Sequence, residues 1–485
     1  MKLQELLSGL NVKCNADADI CGISADSRNV GKGFLFAALD NGVNDGAQYT
    51  ESAITNGAAA VLCKNAVWAD KYPEVIFIES ANTNFDFAKI AARYYRLQPK
   101  HMAAVTGTNG KTSIADFVRQ VLVAMGQNAA SIGTLGLIKN DNPPVAYVNT
   151  TPGVITIHKD LQHLAEEGFD YAVMEASSHG ICQYRIGGVD FEAAGFTNLS
   201  RDHLDYHKTM ENYYAAKKLL FTDILRKGGT AVLNADIDLF DDLSKACIDT
   251  GKKVLSYGRN GKDIRLLDVQ PTGSGQVLNV EVFGQTKEIF IPLAGEFQAM
   301  NVLCALGLII ALTGKTEEAC ALLPRIKGAK GRLEFAGQTK NGASVFVDYA
   351  HTPDALENVI NAMRGHCQGR LHVLFGCGGD RDAGKRPIMG KIASELADVV
   401  YVTDDNPRTE NAASIREQIM AAAPKAYNIG DRKEAICRAT ANLKSGDILI
   451  VAGKGHETGQ YINGKIYPFS DQEVIAECLA AEKQR

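Results

Sequence analysis

The sequence has no hydrophobic run long enough to span a membrane, and no apolar core of a signal peptide follows Met1. A membrane-spanning helix needs about 20 mostly apolar residues, and a secretory leader needs an apolar segment of roughly 7–15 residues. Both patterns are missing, so we expect a soluble protein of the cytoplasm.

Cysteine pairs with metal-finger spacing are also missing, and neither sign of charge dominates. The 11 cysteines are scattered, and an odd number in a long chain is typical of reduced thiols in a cytoplasm. A formal net charge of −5 argues against a general nucleic-acid binder. The content of 46% hydrophobic and 22% charged residues is that of an ordinary globular protein, and 485 residues predict about three domains.

The stretch 103–113 has the pattern of a nucleotide-binding loop. Small apolar residues predict a buried strand, a turn with glycine at both ends follows, and Lys111 opens a helix with apolar residues at helical spacing. Loop amides and the helix N-terminus attract phosphate, Lys111 reaches the terminal phosphates, and Thr112 is placed to ligate magnesium. Val105 stands where the usual pattern has its first glycine, so the loop is a shortened variant. The alternative is a tight turn with a surface lysine, but the flanking strand and helix favour an ATP site.

Residues 1–98 form the first predicted segment, which ends before Gln98-Pro99. Its predicted elements are strands at 33–39 and 75–78 and a helix at 85–95. Two polar stretches, 25–28 and 41–46, present hydroxyl and backbone donors that either hold a ligand or form structural turns.

From about residue 100 to 330 the pattern predicts a nucleotide-binding domain with a mostly parallel sheet. Its further strands are predicted at 171–174, 191–196 and 230–233. Ligands of such sheets lie beyond the carboxyl ends of the strands, so Glu175 and His203, which follow two of these strands, are candidate magnesium ligands. The alternatives are a cap or ion pair for Glu175 and a hydrogen-bonded interior histidine for His203. A helix is predicted over 213–221, and its two lysines are most simply a solvated face. An apolar helix is predicted over 302–312.

The remaining chain predicts a second α/β domain. Strands are predicted at 345–347, 371–375, 399–403 and 448–452, each followed by a polar or glycine-rich loop and alternating with helices. This alternation specifies a doubly wound sheet. The loop at Gly376 is not a dinucleotide site, because Arg381 stands where the third glycine belongs.

These residues predict an enzyme that binds ATP, but they leave the reaction open, since a kinase or an ATP-driven motor shares the loop. In combination, four motifs closely resemble the Mur ligase family over essentially the whole chain: Thr106–Thr112, Glu175–His179, Asn198-Leu199 with Asp202–Asp205, and Asp348–His351. The resemblance implies a three-domain α/β fold: an N-terminal UDP-sugar-binding α/β domain (1–98), a central P-loop ATPase-like domain with a mostly parallel sheet (99–330), and a C-terminal Rossmann-like doubly wound domain (331–485) that binds an amino acid.

The resemblance also implies the reaction, the addition of an amine to a peptidoglycan precursor. ATP phosphorylates the terminal carboxylate of UDP-N-acetylmuramoyl-L-alanyl-D-glutamate, and an amine displaces phosphate from the acyl phosphate. Asp405-Asn406-Pro407-Arg408 resembles the signature of the branch that adds meso-2,6-diaminopimelate. The family usually continues with an acidic residue and proline, where this chain has Asn411-Ala412. We expect a monomer that uses ATP and Mg²⁺ and binds neither nucleic acid nor membrane.

The family's site residues carry over by motif. The implied ATP contacts are Gly107, Thr108, Asn109, Gly110, Lys111, Thr112, Ser113, Asn301, Arg332, Asp348 and His351. The implied catalytic residues are Lys111, His203 and Lys217, and the implied metal ligands are Thr112, Glu175, His203 and Lys217 as a carbamate. Adding CO2 turns the lysine ammonium into an anionic oxygen ligand, and the Tyr213-x-x-x-Lys217 spacing selects Lys217 over Lys218.

The implied substrate contacts fall into two sets. For the UDP-muramoyl dipeptide they are Ala25, Ser27, Gly42, Val43, Asn44, Asn149, Thr150, Thr151, Ser177, Gln183 and Arg185. For diaminopimelate they are Arg381, Asp405, Asn406, Pro407, Arg408, Gly453 and Glu457. Arg185 suits an anionic group, although 149–152 taken alone also reads as a turn and helix cap. Arg408 suits a carboxylate because guanidinium binds it through two parallel hydrogen bonds.

Other functions share parts of this pattern. A lysine-adding ligase and a folylpolyglutamate synthetase-like ligase have the same ATP machinery, a kinase is a more distant alternative, and a non-catalytic binder would retain the loop alone. Arg408 and the 98-residue N-terminal segment favour the diaminopimelate-adding reaction.

Overall fold

The computed structural model describes residues 1–14, 16–40, 45–272 and 275–484. The chain divides into two compact units. The first unit comprises Met1–Lys111, Val118–Leu255 and Gly307–Lys315, and the second comprises Thr112–Phe117, Ser256–Leu306 and Thr316–Arg485.

The N-terminal segment folds around a five-stranded sheet. Its elements are α1 (Leu3–Leu7), β1 (Val12–Lys13), β2 (Gly22–Ser24), β3 (Phe34–Ala37), α2 (Thr50–Thr55), β4 (Ala58–Cys63), β5 (Ile76–Ser80) and α3 (Thr83–Tyr95). The strand order is β1-β5-β4-β3-β2, and only the edge strand β1 is antiparallel to its neighbour. Leu35, Leu62, Ile78 and Phe87 pack fully buried in its core. The two predicted strands and the predicted helix are confirmed as β3, β5 and α3.

A second sheet follows, with the phosphate-loop strand in its interior. Its elements are β6 (His101–Thr106), α4 (Lys111–Ala124), β7 (Ala129–Gly133), β8 (Gly136–Lys139), α5 (Val154–Glu166), β9 (Tyr171–Glu175), α6 (Ser178–Cys182), β10 (Ala193–Phe196), α7 (Leu204–His207), α8 (Met210–Leu219), β11 (Thr230–Asn234), α9 (Phe240–Asp249) and β12 (Lys253–Gly258). The strands run in the order β12-β11-β10-β6-β9-β7-β8. β6 pairs in parallel with β9 on one side and β10 on the other, so the order reverses there, which is where such sheets bind ligands.

Small and apolar residues explain why β6 lies in the interior. Met102, Ala103, Ala104 and Val105 are completely buried, as a strand covered on both faces requires. The strands predicted at 171–174, 191–196 and 230–233 are confirmed as β9, β10 and β11, and the helix predicted over 213–221 is α8 with a π-helical turn at Leu220–Ile224.

The next elements include three antiparallel strands that the sequence patterns did not predict. They are β13 (Ile264–Thr272), β14 (Gly275–Val282) and β15 (Gln285–Ile291), followed by α10 (Glu296–Thr313) and α11 (Thr316–Leu322). Among the helices in the described residues, α10 alone is long and apolar enough to cross a membrane, and 72% of that segment is buried inside the structure. The expectation that no apolar run reaches that length is therefore wrong for α10, a helix that begins before the predicted Val302.

The C-terminal segment is a doubly wound sheet, as predicted. Its elements are β16 (Glu334–Gln338), β17 (Ser344–Asp348), α12 (Pro353–Arg364), β18 (Leu371–Phe375), α13 (Lys385–Leu396), β19 (Val399–Val402), α14 (Ala412–Met420), β20 (Tyr427–Asn428), α15 (Arg432–Ala441), β21 (Ile448–Ala452), β22 (Gly459–Ile462), β23 (Lys465–Pro468) and α16 (Asp471–Gln484). The strand order is β16-β17-β21-β18-β19-β20, with parallel pairing from β17 to β20. β22 and β23 form a separate hairpin.

One disulfide corrects the expectation of reduced thiols throughout. Cys437 of α15 and Cys478 of α16 are bonded, with their Cα atoms 5.4 Å apart. The two residues are 41 positions apart, and only the packing of α15 against α16 brings them together. The other nine cysteines are free thiols.

Candidate active site

The loop that joins β6 to α4 is fixed by the segment that follows β10. Gly107 and Gly110 have φ angles of +146° and +89°, which L side chains rarely adopt. The amide of Thr108 donates to the carbonyl of Asn198 at 3.0 Å, and the amide of Asn109 donates to Asn198 Oδ1 at 2.9 Å. Thr197 Oγ1 also donates to the carbonyl of Asn109 at 2.6 Å, so the segment after β10 holds the predicted phosphate-binding turn in shape.

Two lysine amines meet at one carbonyl of this loop. Lys111 Nζ and Lys217 Nζ each donate to the carbonyl oxygen of Gly107 at 2.8 Å. Lys217 lies on α8 with 1% of its surface exposed, and its Nζ is 4.5 Å from the ring centroid of Tyr213. Burial, and then the charge of Lys111, lower the pKa of Lys217 well below its usual value. The uncharged amine is therefore strongly favoured at this position.

The interpretation of the two lysines of α8 as a solvated face is correct for only one of them. The side chain of Lys218 is 28% exposed and pairs with Asp242 at 2.6 Å. Lys217 points inward instead, because it shares a helix face with the buried Tyr213 four positions earlier.

The two predicted strand-end ligands lie on either side of β6. Glu175 ends β9 and is 2% exposed, and its two carboxylate oxygens accept from the amide and hydroxyl of Thr134 at 2.7 and 3.2 Å. His203 follows β10 and caps α7 with a left-handed backbone, φ +53°. Its Nε2 lies 3.4 Å from Asp202 Oδ2, and its side chain is about half exposed.

These donors fit magnesium in type, although they do not form a complete shell. Among the described residues, no three His, Cys, Asp or Glu side chains gather closely enough to hold a metal. Glu175 offers buried carboxylate oxygens, which magnesium prefers. Thr112 and Ser113 contribute hydroxyls buried in the first turn of α4. Carboxylate and hydroxyl oxygens are donors that magnesium accepts, and phosphate or water commonly supplies its other ligands.

Four residues predicted for the nucleotide-sugar substrate form one hydrogen-bonded group. Thr151 Oγ1 donates to the Glu175 carbonyl at 2.9 Å and accepts from the amide and the hydroxyl of Ser177 at 3.0 and 2.9 Å. Arg185 donates from Nη1 to the Thr151 carbonyl at 2.9 Å and from Nε to Gln183 Oε1 at 3.0 Å. Burial lowers the pKa of Arg185, so an anionic partner would be favourable there.

A cavity of about 580 Å³ adjoins this group, a size typical of ligand pockets. Gln183 and Tyr206 line this cavity, and Gln183 Nε2 donates to the Tyr206 hydroxyl at 3.2 Å. Further polar lining residues are Asp40, Asp45, Lys64, Asn82 and Asn84.

The remaining residues predicted to bind the two nucleotides differ in burial. Thr150 Oγ1 lies 3.0 Å from Thr134 Oγ1, while Asn149 and Ala25 are exposed. Ser27 is 7% exposed and Asn301, on α10, is 8% exposed. Gly42, Val43 and Asn44 lie outside the described residues.

In the second unit, Arg332, Asp348 and His351 surround Tyr349. The Arg332 guanidinium carbon lies 4.6 Å from the Tyr349 ring centroid, and Arg332 Nη2 donates to Thr112 Oγ1 at 3.4 Å. Asp348, at the end of β17, accepts two backbone amides at 2.7 Å each, and burial raises its pKa. His351 Nδ1 lies 2.8 Å from the Tyr349 carbonyl oxygen.

The predicted amino-acid site lies at the carboxyl edge of the C-terminal sheet, where the loops after β18, β19 and β21 meet. Asn406 Nδ2 donates to Glu457 Oε2 at 2.9 Å. Between them lies Lys454, whose Nζ is 3.0 Å from Asn406 Oδ1, 3.1 Å from Glu457 Oε2 and 3.6 Å from Asp405 Oδ1. A Cβ at Gly453 (φ +111°) would lie 3.5 Å from Asp405 Oδ2. The carboxylates of Asp405 and Glu457 and the amide of Asn406 thus lie close together in one small volume around Lys454 Nζ.

Arg408 borders this volume with a strained backbone, φ +53°. Its Nη1 donates to the Gly379 carbonyl at 2.7 Å. Its amide donates to the Tyr461 carbonyl at 3.0 Å, and its carbonyl accepts from the amide of Asn463 at 2.7 Å. Arg381 is exposed in the loop that follows β18.

The departure at Asn411-Ala412 preserves the start of α14. Asn411 Oδ1 accepts from the amide of Ser414 at 3.1 Å, so asparagine caps the helix as an acidic residue would. Just before it, Glu410 binds Arg386 through both carboxylate oxygens at 2.9 Å, and its amide donates to the Pro407 carbonyl at 3.0 Å. The segment that carries Arg408 is therefore anchored on both sides.

Three side chains that contact the predicted site residues were not predicted from the sequence. Thr134 holds Glu175, Tyr206 lines the cavity, and Lys454 lies among the predicted amino-acid ligands. Tyr206 follows the Asp202–Asp205 motif directly, and Lys454 follows β21 between two glycines, so position after a strand was the available signal. Thr134 had no such signal, because β7 was not predicted.

Comparison with known proteins covers most of the chain. Three family models match: the Mur ligase family catalytic domain at residues 19–103, the Mur ligase middle domain at 105–309, and the Mur ligase glutamate ligase domain at 331–455. A UDP-N-acetylmuramoyl-L-alanyl-D-glutamate--2,6-diaminopimelate ligase of Agrobacterium fabrum is 48% identical over 95% of this chain and 94% of its own. One of the same name from Chelativorans sp. is 47% identical over 99% of both chains.

A solved structure of a ligase with that name is 31% identical and covers 100% of this chain and 99% of its own, with a TM-score of 0.72. The sequence match and the shared fold extend over nearly the whole chain, and the three family models cover most of it. The chain belongs to the Mur ligase family and is a ligase built from three α/β domains.

Proposed function

We propose that this ligase adds meso-2,6-diaminopimelate to the D-glutamate of UDP-N-acetylmuramoyl-L-alanyl-D-glutamate, with ATP, in the cytoplasmic synthesis of peptidoglycan precursors. The observation that carries the proposal is that Arg408 follows Asp405 on the loop after β19, at the sheet edge where Asp405 and Glu457 both lie near Lys454 Nζ, in a chain whose relatives bear that name. A guanidinium beside carboxylates matches an amino acid that presents both a carboxylate and an ammonium. The proposed domains are 1–98 for the UDP-muramoyl substrate, 99–330 for ATP and 331–485 for the amino acid.

The phosphate loop would hold ATP through its amides and Lys111. Phosphoryl transfer depends mainly on positioning and on neutralising the charge of the phosphates. Gly107–Ser113 supply the amides at the start of α4, and Asn301, Arg332, Asp348 and His351 are proposed as further nucleotide contacts. The acceptor is the terminal carboxylate of the dipeptide, and the product is an acyl phosphate that an amine can attack.

Magnesium would be held by Glu175, His203, the Thr112 hydroxyl and a carbamate on Lys217. When bound, the ion would neutralise phosphate charge. The chain's own contribution is to favour the uncharged form of the Lys217 amine, since burial and the charge of Lys111 lower its pKa. An uncharged amine has the lone pair that attacks CO2, whereas an ammonium has none.

The group of Thr151, Ser177, Gln183 and Arg185 is proposed to bind the UDP-muramoyl dipeptide. It combines hydroxyl donors with a guanidinium next to a cavity of about 580 Å³. Ser27 and the segment 42–44 are proposed for the same substrate on the basis of the family motif.

Phosphate release with a panel of amines tests the proposal. Purified protein with ATP, Mg²⁺ and the UDP-muramoyl dipeptide should release phosphate with meso-diaminopimelate and not with L-lysine, L-glutamate or D-alanyl-D-alanine. The amide product is checked by mass. Equal turnover with L-lysine would indicate the lysine-adding reaction, and turnover with a folate and glutamate would indicate the folylpolyglutamate reaction. A stable phosphorylated product without any amine would indicate a kinase.

A further inference from the structure

Lys454 is a fully buried lysine among the residues of the proposed amino-acid site. Its side chain is 0% exposed. A buried ammonium is costly unless several acceptors surround it. Here Nζ donates to Asn406 Oδ1 at 3.0 Å and to Glu457 Oε2 at 3.1 Å, with Asp405 Oδ1 at 3.6 Å. All three neighbours belong to the proposed diaminopimelate contacts.

These bonds fix the direction of the Asn406 amide. Asn406 Oδ1 accepts from Lys454 Nζ and from the amide of Tyr461 at 3.0 Å each. Lysine has donors only, so the carboxamide oxygen must face it, and Nδ2 must turn toward Glu457, where it donates at 2.9 Å. Lys454 therefore fixes which end of the Asn406 amide faces Glu457. Lys454 Nζ and Asn406 Nδ2 both donate to the same oxygen of Glu457, Oε2.

Lys454 also sets the local charge. Asp405 and Glu457 formally carry two negative charges, and the lysine offsets one of them. The neighbouring Arg432 and Asp471 are both 0% exposed and bind each other through two hydrogen bonds of 2.8 Å, so they add no net charge. Arg408 borders the same volume and is left to receive the carboxylate of an incoming amino acid, so the single negative charge that Lys454 leaves on Asp405 and Glu457 matches one ammonium group. Asp405 Oδ1 is buried and has no hydrogen-bond partner among the described residues, and the side chain of Glu457 is 28% exposed.

We propose that Lys454 is a positioning residue for the amino-acid substrate, which sets the Asn406 amide and the Glu457 carboxylate to receive an ammonium group. This inference rests on the proposed function, because it concerns the same site. Lys454 has no proposed contact with ATP or with the UDP-muramoyl dipeptide. Replacing Lys454 should therefore weaken the binding of the amino acid and not that of the other two substrates.

The test is Lys454→Met, which keeps the buried stem and removes the charge and the donor. Phosphate release is measured while each substrate is varied in turn. We expect the KM for meso-diaminopimelate to rise roughly tenfold or more, with the KM values for ATP and the dipeptide unchanged within about twofold. The matched control is Lys340→Met, an exposed lysine between β16 and β17, which should leave all three KM values unchanged.

A double-mutant cycle with Glu457→Gln separates positioning from simple packing. If Lys454 acts through Glu457, the effects of the two substitutions on the KM for diaminopimelate are less than additive. Additive effects, an unchanged KM, or an equal rise of all three KM values overturns the inference. Lys454→Gln is the second variant, because it retains a donor for Asn406; if both variants melt below the assay temperature, the role is structural and the inference is overturned.

Failure of the proposed function has a different signature. If wild-type protein turns over with another amine only, the proposed function is overturned, and the KM for that amine is then compared between wild type and Lys454→Met. A selective rise of that KM supports the inference, and an unchanged KM overturns it. If wild-type protein uses no amine from the panel, both proposals are overturned together.

Discussion

Lys111 Nζ and Lys217 Nζ donate to the same carbonyl oxygen, that of Gly107, each at a distance of 2.8 Å. Two ammonium groups so close together repel each other in a buried environment, and Lys217 is the more deeply buried of the two. Burial, and then the charge of Lys111, therefore lower the pKa of Lys217 well below its usual value, which favours its uncharged form.

The first prediction is that Lys217 carries a carbamate and that Lys218 does not. Protein equilibrated with ¹³C-bicarbonate should show one carbamate carbon resonance, which Lys217→Arg removes and Lys218→Arg retains. Lys217→Arg should lower turnover roughly 10–100-fold, as loss of a residue that orders a metal site does. Lys218→Arg is the matched control, because it keeps the ion pair with Asp242. Resonances of equal intensity in both variants would contradict the assignment.

The second prediction concerns the shape of the phosphate loop. Gly107→Ala places a Cβ against Thr197 Oγ1 in a backbone conformation with φ +146°, so the loop must shift. A displacement of about 1 Å near reacting groups lowers turnover roughly 100-fold. Gly126→Ala is the control, since that glycine (φ +78°) follows α4 with open space around its Cβ. It should reduce stability by about 1 kcal/mol while ATP turnover persists; equal losses in both variants would refute the argument.

The third prediction is that Arg408 selects the amine substrate. Arg408→Ala should raise the KM for diaminopimelate roughly 30-fold or more, equivalent to about 2 kcal/mol, with the KM for ATP unchanged. Arg408→Lys should restore little, because an ammonium lacks the fork that binds a carboxylate through two bonds. Arg438→Ala, an exposed arginine of α15, serves as the control. Parallel losses for ATP and diaminopimelate would show that Arg408 is no selective anchor.

The fourth prediction concerns stability against acid. His158 is buried in α5 with Nε2 2.9 Å from the Gly187 carbonyl oxygen, and burial lowers its pKa from 6.5 to about 4. Between those values the unfolded chain binds a proton that the folded chain does not, so stability is lost as the pH falls. The loss amounts to roughly 3 kcal/mol. Urea unfolding of wild type and His158→Gln at pH 7, 5.5 and 4.5 measures it, and identical pH slopes would contradict the assignment.

Local signals predicted much of the fold. β18 and β21 are fully buried strands, apolar except for His372, that are each followed by glycine, and their predicted bounds are the observed ones. The strand, loop and helix around Gly107 were equally clear, because a buried strand and a helix at 3.6-residue period differ sharply in pattern. Each of these elements is specified by residues adjacent in sequence.

Features that depend on distant contacts were not predicted. The strands β13–β15 were not predicted, although β14 alternates apolar and polar residues over 278–282, and Cys437 meets Cys478 only through helix packing. Lys454 appears in the sequence as a loop residue between two glycines, and its burial follows from the meeting of three loops. The placement of Glu175 and His203 on either side of β6 depends on strand order, which the sequence pattern did not determine.

The hairpin β22–β23 gives Arg408 a second support. The backbone of Arg408 bonds to Tyr461 and Asn463, and the hairpin turns at Asn463-Gly464, where both residues have positive φ angles. We infer that the predicted preference of Arg408 for one amine depends on two chain segments more than fifty residues apart. A change in the length of the surface turn at Asn463-Gly464 should then alter that preference while Asp405–Arg408 stays unchanged.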